Sequence, residues 1–158
     1  VEETASFELA PPDEAEMAER RRELVDRGFP DFVAETGGEV VGYAYAGLFR
    51  GRPAYGWTCE NTVYVDPAAQ RQGVARRLME KVIEASQRIG FRQMISVIAV
   101  VGDPEKSPSI RLHRALGFKD VGRNRSVGYK FGVWIDTYHL QLPLGEGDTT
   151  PPGERPGA

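Results

Sequence analysis

The spacing of apolar positions changes period several times along the chain. From Gly73 to Ile89, Val74, Leu78, Val82, Ala85 and Ile89 recur at helical intervals, and Gly90 supplies a stop. Just upstream, "WTCENTVYV" alternates. A strand there sends Thr58, Glu60, Thr62 and Tyr64 to one face and Cys59, Asn61 and Val63 to the other. "DFVAET" and "VVGYAYAGLF" flank "GGE", which predicts a hairpin closing at Gly37-Gly38. "FRQMISVIAVV" is apolar almost throughout after Met94, the pattern of a central strand covered on both faces. Ser107 followed by Pro108 is a cap and a first-turn proline, so a second amphipathic helix opens there and ends at Gly117. "KDVGRNRSVGYKFGVWIDTYHLQLPL" reads as two strands around a turn. "PPDEAEMAERRRELVDRG" has acidic residues at its start, Gly28 at its end and only a thin stripe of Met17, Leu24 and Val25, so a surface helix is expected. "ASFEL" reads as a brief strand or extended lead-in.

The order α-β-β-β-α-β-α-β-β predicts one mixed α/β domain over residues 1–144. Residues 145–158 form a Pro/Gly-rich tail, a composition that disfavours intrinsic order. Contact with a neighbouring subunit is the expected way to hold it. At 158 residues, 41% hydrophobic and 27% charged, the chain suits one soluble globular domain. A net charge of −3 argues against a general nucleic-acid or membrane-surface binder, and no run is long and apolar enough to span a bilayer. The single cysteine, Cys59, allows no internal disulfide and suits a reducing cytoplasm. His113 and His139 lie far apart without CxxC or HExxH, so no metal is expected.

Gln70-Arg71-Gln72-Gly73-Val74-Ala75 is the most informative stretch. Asp66-Pro67 breaks the strand, and the chain enters the long helix through small residues at Gly73 and Ala75. Small side chains let a ligand approach the backbone, and the free N–H groups of a first helical turn attract anions. Arg71, Arg76 and Arg77 add positive charge, so a phosphate or pyrophosphate cradle is one reading. Tight strand–helix packing at Gly73 with a solvated arginine face is the other, and spacing alone does not separate them. GxxxxGK[ST] and GxGxxG are both absent, which weakens ATP and nicotinamide readings.

The same stretch resembles the [QR]-x-x-G-x-[GA] signature of the GNAT N-acetyltransferases. "YAYAG", "AYGWTCENTVYV", "QRQG", "SIRLHRALGF" and "GYKFGVWID" extend the resemblance to the phosphinothricin and methionine sulfoximine N-acetyltransferase group, over roughly Thr4 to Leu144. Such proteins start with a further strand and one or two helices. This chain, opening at Val1, is therefore expected to be N-terminally incomplete, which bears on the acceptor pocket.

The resemblance implies a GNAT fold and acetyl-CoA as co-substrate. Backbone groups of Val63, Tyr64 and Val65 would run along the pantetheine arm, and those of Gln70 to Arg77 would bind the pyrophosphate. An N–H near Val65 would face the thioester oxygen. Glu60 matches the family's proposed catalytic glutamate, a general base for an amine that is mostly protonated at neutral pH. Without the resemblance, a salt-bridged glutamate near Arg50 and Arg52 is the simpler reading. His113 stands where many GNAT enzymes carry a tyrosine that protonates the departing thiolate. It is either that acid or a residue that only hydrogen-bonds Glu60 or the cofactor. Lys106 replaces a usual asparagine, and is placed against a cofactor phosphate or in solvent.

Arg50, Gly51 and Arg52 occupy the loop that contacts substrate in the resembling enzymes, with Asn61 and Thr62 beside it. Guanidinium groups suit an amino-acid-like acceptor bearing a carboxylate or phosphinate, and disfavour polyamines. The implied activity is acetylation of the α-amino group of a small amino-acid-like acceptor, by direct attack on the thioester, in a homodimer. The alternatives are an acetyltransferase for protein N-termini or other amines, and a non-catalytic acyl-CoA-binding domain. Cys59 is expected to be packed, and Tyr55, Trp57 and Trp134 are either pocket or core.

Overall fold

The computed structural model describes Phe7 and residues 12–158. Most of "ASFEL" falls outside these residues. The elements are α1 (Glu14–Asp26), β1 (Asp31–Thr36), β2 (Glu39–Leu48), β3 (Thr58–Val65), α2 (Val74–Arg88), β4 (Gln93–Val100), α3 (Pro108–Ala115), β5 (Lys119–Lys130) and β6 (Val133–Pro143), in the expected order. The strands form one six-stranded sheet in the order β1-β2-β3-β4-β6-β5. All neighbours are antiparallel except β3 and β4, which are parallel.

Local chemistry explains the boundaries. Gly37 and Gly38 take φ of +62° and +86°, the left-handed pair that a two-residue hairpin needs. Ser107 caps α3 by accepting from the Ile110 N–H at 3.3 Å. Asp13 does the same for α1, which buries no residue, as its thin stripe predicts.

α2 covers one face of the sheet. Its buried Leu78, Met79 and Val82 join Ala44, Ala46, Cys59, Met94, Leu140 and α3's Ile110 in the core. α1 lies on the opposite face. A Cβ added to Gly47, which pairs with Glu60, would meet Leu24 at 3.3 Å.

Two expectations change. In β4, Met94, Ser96, Ile98 and Val100 are buried, while Ile95, Val97 and Ala99 alternate with them and are only half-buried. The strand therefore has one core face and one partly open apolar face. The tail is held by its own chain. The Trp57 indole N–H donates to the Gly153 carbonyl at 3.0 Å. Arg92 donates to the Gly147 carbonyl, the Thr150 hydroxyl and the Pro151 carbonyl at 3.2, 2.9 and 3.0 Å. Polar anchors thus order a segment whose composition alone would not.

Candidate active site

The pairing of β3 with β4 covers only Thr58↔Gln93, Cys59↔Met94 and Glu60↔Ile95. Both strands continue beyond it, β3 to Val65 and β4 to Val100, so they part just after Glu60. On its other side β3 stays paired with β2 as far as Val65↔Gly42. Backbone groups in an antiparallel strand alternate in direction. The Thr58 carbonyl accepts from Phe49 and the Asp66 N–H donates to Val41, so even-numbered residues of β3 point to β2. Val63 and Val65 therefore point their backbone groups into the opening, whereas those of Tyr64 belong to the β2 ladder. The Val65 carbonyl accepts a long bond of 3.5 Å from the Gln70 amide. A free strand edge of this kind can receive an extended ligand as an added strand.

The opening leads to the N-terminus of α2. Arg71 and Gly73 both have positive φ, +62° and +77°, and together they turn the chain into the helix. Gly73 is the N-cap and offers no side-chain acceptor, so the N–H groups of Val74, Ala75 and Arg76 are left for a ligand. A Cβ added to Gly73 would meet nothing within 4 Å. Tight packing is therefore not why glycine stands here; its φ is, and the space above the helix mouth is open. The residues fit a diphosphate: free N–H groups, the helix dipole and clear space. Arg71 and Arg77 are exposed and carry no ion pair among the described residues, whereas Arg76 pairs with Glu80 at 2.9 Å. Lys106 is exposed at the end of a short turn before α3.

Glu60 lies at the point where the strands part, on the face opposite α2, with Thr62 and Tyr64. Tyr64 stacks on Tyr43 (ring centroids 5.7 Å apart), and Tyr43 stacks on Tyr45 at 6.4 Å. Glu60 is half-buried and makes no hydrogen bond or ion pair among the described residues. The salt-bridged reading therefore does not apply. Burial pushes its carboxyl above the ordinary carboxylate range, and the Arg50 charge pulls it partly back. Arg50 lies over Phe49 and Tyr55, at 4.8 and 5.9 Å, and Arg50, Gly51, Arg52 and Tyr55 line a recess of about 450 Å³. A larger hollow of about 680 Å³ separates α2 from α3, away from Glu60.

His113 and Asn61 sit on the helix side of the sheet. The Asn61 amide lies 2.9 Å from His113 Nε2, and His113 Nδ1 lies 2.8 Å from the Ser109 carbonyl. The carbonyl accepts from Nδ1–H, which leaves Nε2 to accept from Asn61, so the ring is neutral. Its ring meets Phe118 edge-on at 4.9 Å, and it is 1% exposed. Burial lowers its pKa, with the Ser109 bond opposing in part. The structure brings His113 to Asn61, not to Glu60, and places Asn61 away from the face that carries Glu60 and Thr62. Asn61 Oδ1 is buried without a hydrogen-bond partner among the described residues. Cys59 is fully buried with its thiol pushed up to about 12, an inert packed residue.

The sequence reading overlooked His139. Val97 pairs with His139 and Ile95 with Gln141, so β6 brings His139 onto the Glu60 face. Only the strand register reveals this; nothing local in "TYHLQ" does. Trp134 is 60% exposed and Trp57 holds the tail, so neither belongs to the core. Among the described residues no cluster of His, Cys, Asp or Glu could hold a metal, and no helix is long and apolar enough to cross a membrane.

Comparison with known proteins agrees with this geometry. Residues 2–118 match the acetyltransferase (GNAT) family. The chain is 48% identical over 149 residues to a phosphinothricin N-acetyltransferase of Alcaligenes faecalis, covering 94% of this chain and 74% of that protein. It is 39% identical over 119 residues to an L-methionine sulfoximine/L-methionine sulfone acetyltransferase of Salmonella typhimurium, covering 75% and 67%. Among solved structures, a GNAT superfamily phosphinothricin acetyltransferase from Sinorhizobium meliloti, in complex with AcCoA, superposes with a TM-score of 0.88 at 44% identity, over 96% of this chain and 80% of that one. A split parallel pair, a glycine-capped helix mouth and these relatives lead to one assignment: the chain belongs to the GNAT acetyltransferase family.

Proposed function

We propose that the protein is an acetyl-CoA-dependent N-acetyltransferase acting on the α-amino group of a small amino-acid-like acceptor of the phosphinothricin or methionine sulfoximine type. The observation that carries the reading is the parting of β3 from β4 directly after Glu60, beside a helix mouth with unused N–H groups. Acetyl-CoA supplies the activated acyl group. Val63 and Val65 orient it along the strand edge, Gln70 to Arg77 hold its diphosphate, and Lys106 serves its phosphates. The Val65 N–H, directed into the opening, would donate to the oxygen on which charge develops.

Glu60 takes the proton from the acceptor ammonium. Its raised pKa brings it closer to that task, and its lack of a partner leaves it free to accept. Arg50 and Arg52, with Gly51, line the acceptor recess and select for an acidic group, and Thr62 lies on the Glu60 face of β3. His113 is a positioning residue that holds Asn61 and, through it, β3 at the opening.

We further propose a homodimer. Phe131 and Trp134, each 60% exposed, with Tyr129 at 59%, crown the β5–β6 hairpin, an apolar surface that a second copy would cover.

The test of the activity is thiol release from acetyl-CoA with methionine sulfoximine, repeated with Glu60→Gln. The variant is expected to lose about 10²–10⁴ in kcat, the range for a general base, with acetyl-CoA affinity unchanged. Equal rates for the two proteins would remove Glu60 from the mechanism.

A further inference from the structure

His139 stands on the open side of the sheet without a described role, and its surroundings are specific. The register Glu60↔Ile95, Ile95↔Gln141 and Val97↔His139 puts it on the same face as Glu60, two strands away. Adjacent strands are about 4.8 Å apart and His139 is displaced by two residues, about 7 Å, along them, so the two backbone positions lie about 12 Å apart. The floor between them is β4's half-buried Ile95, Val97 and Ala99. An apolar floor between a few convergent polar groups is the usual build of a small-molecule site.

The ring is held in one orientation. Its Nε2 lies 2.9 Å from Thr137 Oγ1 and 3.1 Å from Asn124 Nδ2, and the same Asn124 amide donates to Thr137 Oγ1 at 3.3 Å. With an amide N–H directed at it, Nε2 is the acceptor, and the network assigns the ring proton to Nδ1. Nδ1–H has no partner among the described residues. Burial, and the Arg50 charge after it, lower the ring's pKa. Arg50 acts on Glu60 as well, so the three residues share one site.

We propose that His139, oriented by Asn124 and Thr137, is a specificity residue whose Nδ1–H donates to an oxygen on the acceptor's side-chain head group. This rests on the acetyltransferase reading above and deepens it. The amine is placed at Glu60, and the side chain crosses the apolar floor of β4 to His139. A neutral donor within the field of the Arg50 guanidinium favours an oxygen-rich head such as a sulfone, sulfoximine or phosphinate. It is indifferent to a thioether and unfavourable to a cation.

The experiment compares kcat/KM for methionine sulfone and methionine, by thiol release, in the wild type, His139→Leu and His139→Gln. The wild type is expected to prefer the sulfone. His139→Leu is expected to lower that ratio about 5- to 30-fold, the span for one hydrogen bond to a strongly polar group. His139→Gln, which keeps a neutral donor, is expected to recover part of it. A purely structural role would depress both acceptors together, so an unchanged ratio in His139→Leu overturns the proposal and leaves the activity standing. No turnover of any amino acid by the wild type overturns both. Melting temperature and acetyl-CoA affinity, measured on the same variants, are expected to stay close to wild type.

Discussion

Gly73→Ala separates ligand binding from packing more cleanly than any other change. The glycine's φ is +77°, and an added Cβ meets nothing within 4 Å. The variant therefore suffers only the left-handed backbone penalty, about 1–2 kcal/mol for a residue with a Cβ. In a domain of this size that is a melting shift of about 2–8 °C. Gly37→Ala is a matched control, with φ of +62°, nothing within 4 Å and a position in the β1–β2 hairpin. Both variants should lose similar stability. They should differ in acetyl-CoA affinity, because the methyl at position 73 projects into the open space at the helix mouth that the cradle reading fills with the diphosphate. Disturbing one hydrogen bond to a charged group costs about 1.5–3 kcal/mol, or about 10- to 150-fold in Kd. The assays are thermal melting and calorimetric titration with acetyl-CoA. Equal, wild-type affinity in both variants would refute the cradle, and a much larger melting loss at position 73 would refute the reading of open space.

Arg50→Gln removes the charge that holds the Glu60 pKa down. A base works only when deprotonated, so the acid limb of the kcat/KM profile should move to higher pH, and a limb that stays put would count against Glu60 as the base that Arg50 influences. Trp134→Glu should convert a dimer to a monomer in light scattering, whereas a monomeric wild type would sink the proposed assembly. His113→Leu leaves the buried Asn61 amide with only its long contact to Met79 Sδ, at about 1–3 kcal/mol. Its melting temperature should fall without any limb of the pH–rate profile disappearing. A lost limb at an unchanged melting temperature would instead make His113 the acid.

The elements themselves were legible because each rests on a local signal. Gly37-Gly38 can take two left-handed turns, Ser107-Pro108 caps and starts a helix, and α2 repeats at 3.6 residues. Glu60 and the glycine loop were legible as residues, but not the parting of the strands between them. That feature is a change in pairing partner, and pairing is non-local. "MISVIAVV" misled for a related reason. An apolar strand face against a second layer and one that floors an open hollow have the same composition, so β4 read as covered twice. The tail was misread because Arg92 and Trp57, its anchors, lie 55 or more residues away in sequence.

The sheet separates two proposed tasks that the sequence places on consecutive residues. Glu60 and Asn61 are neighbours in β3, yet alternation turns them to opposite faces. On the helix side, both nitrogens of His113 are already bonded, its burial disfavours a charge, and Asn61 ties it to β3. On the open side, Glu60 has no partner, its carboxyl is pushed up, and a mobile proton there has somewhere to go. Proton chemistry belongs where a group is unpaired and its pKa is displaced toward neutrality. Alignment of the β3 edge belongs where every nitrogen is spent. A one-residue slip of β3 would exchange Glu60 with Asn61 and bury a carboxylate against Met79 and His113. The register of β3 against β2, fixed over seven residue pairs from Cys59 to Val65, is therefore as necessary to the proposed chemistry as the glutamate itself.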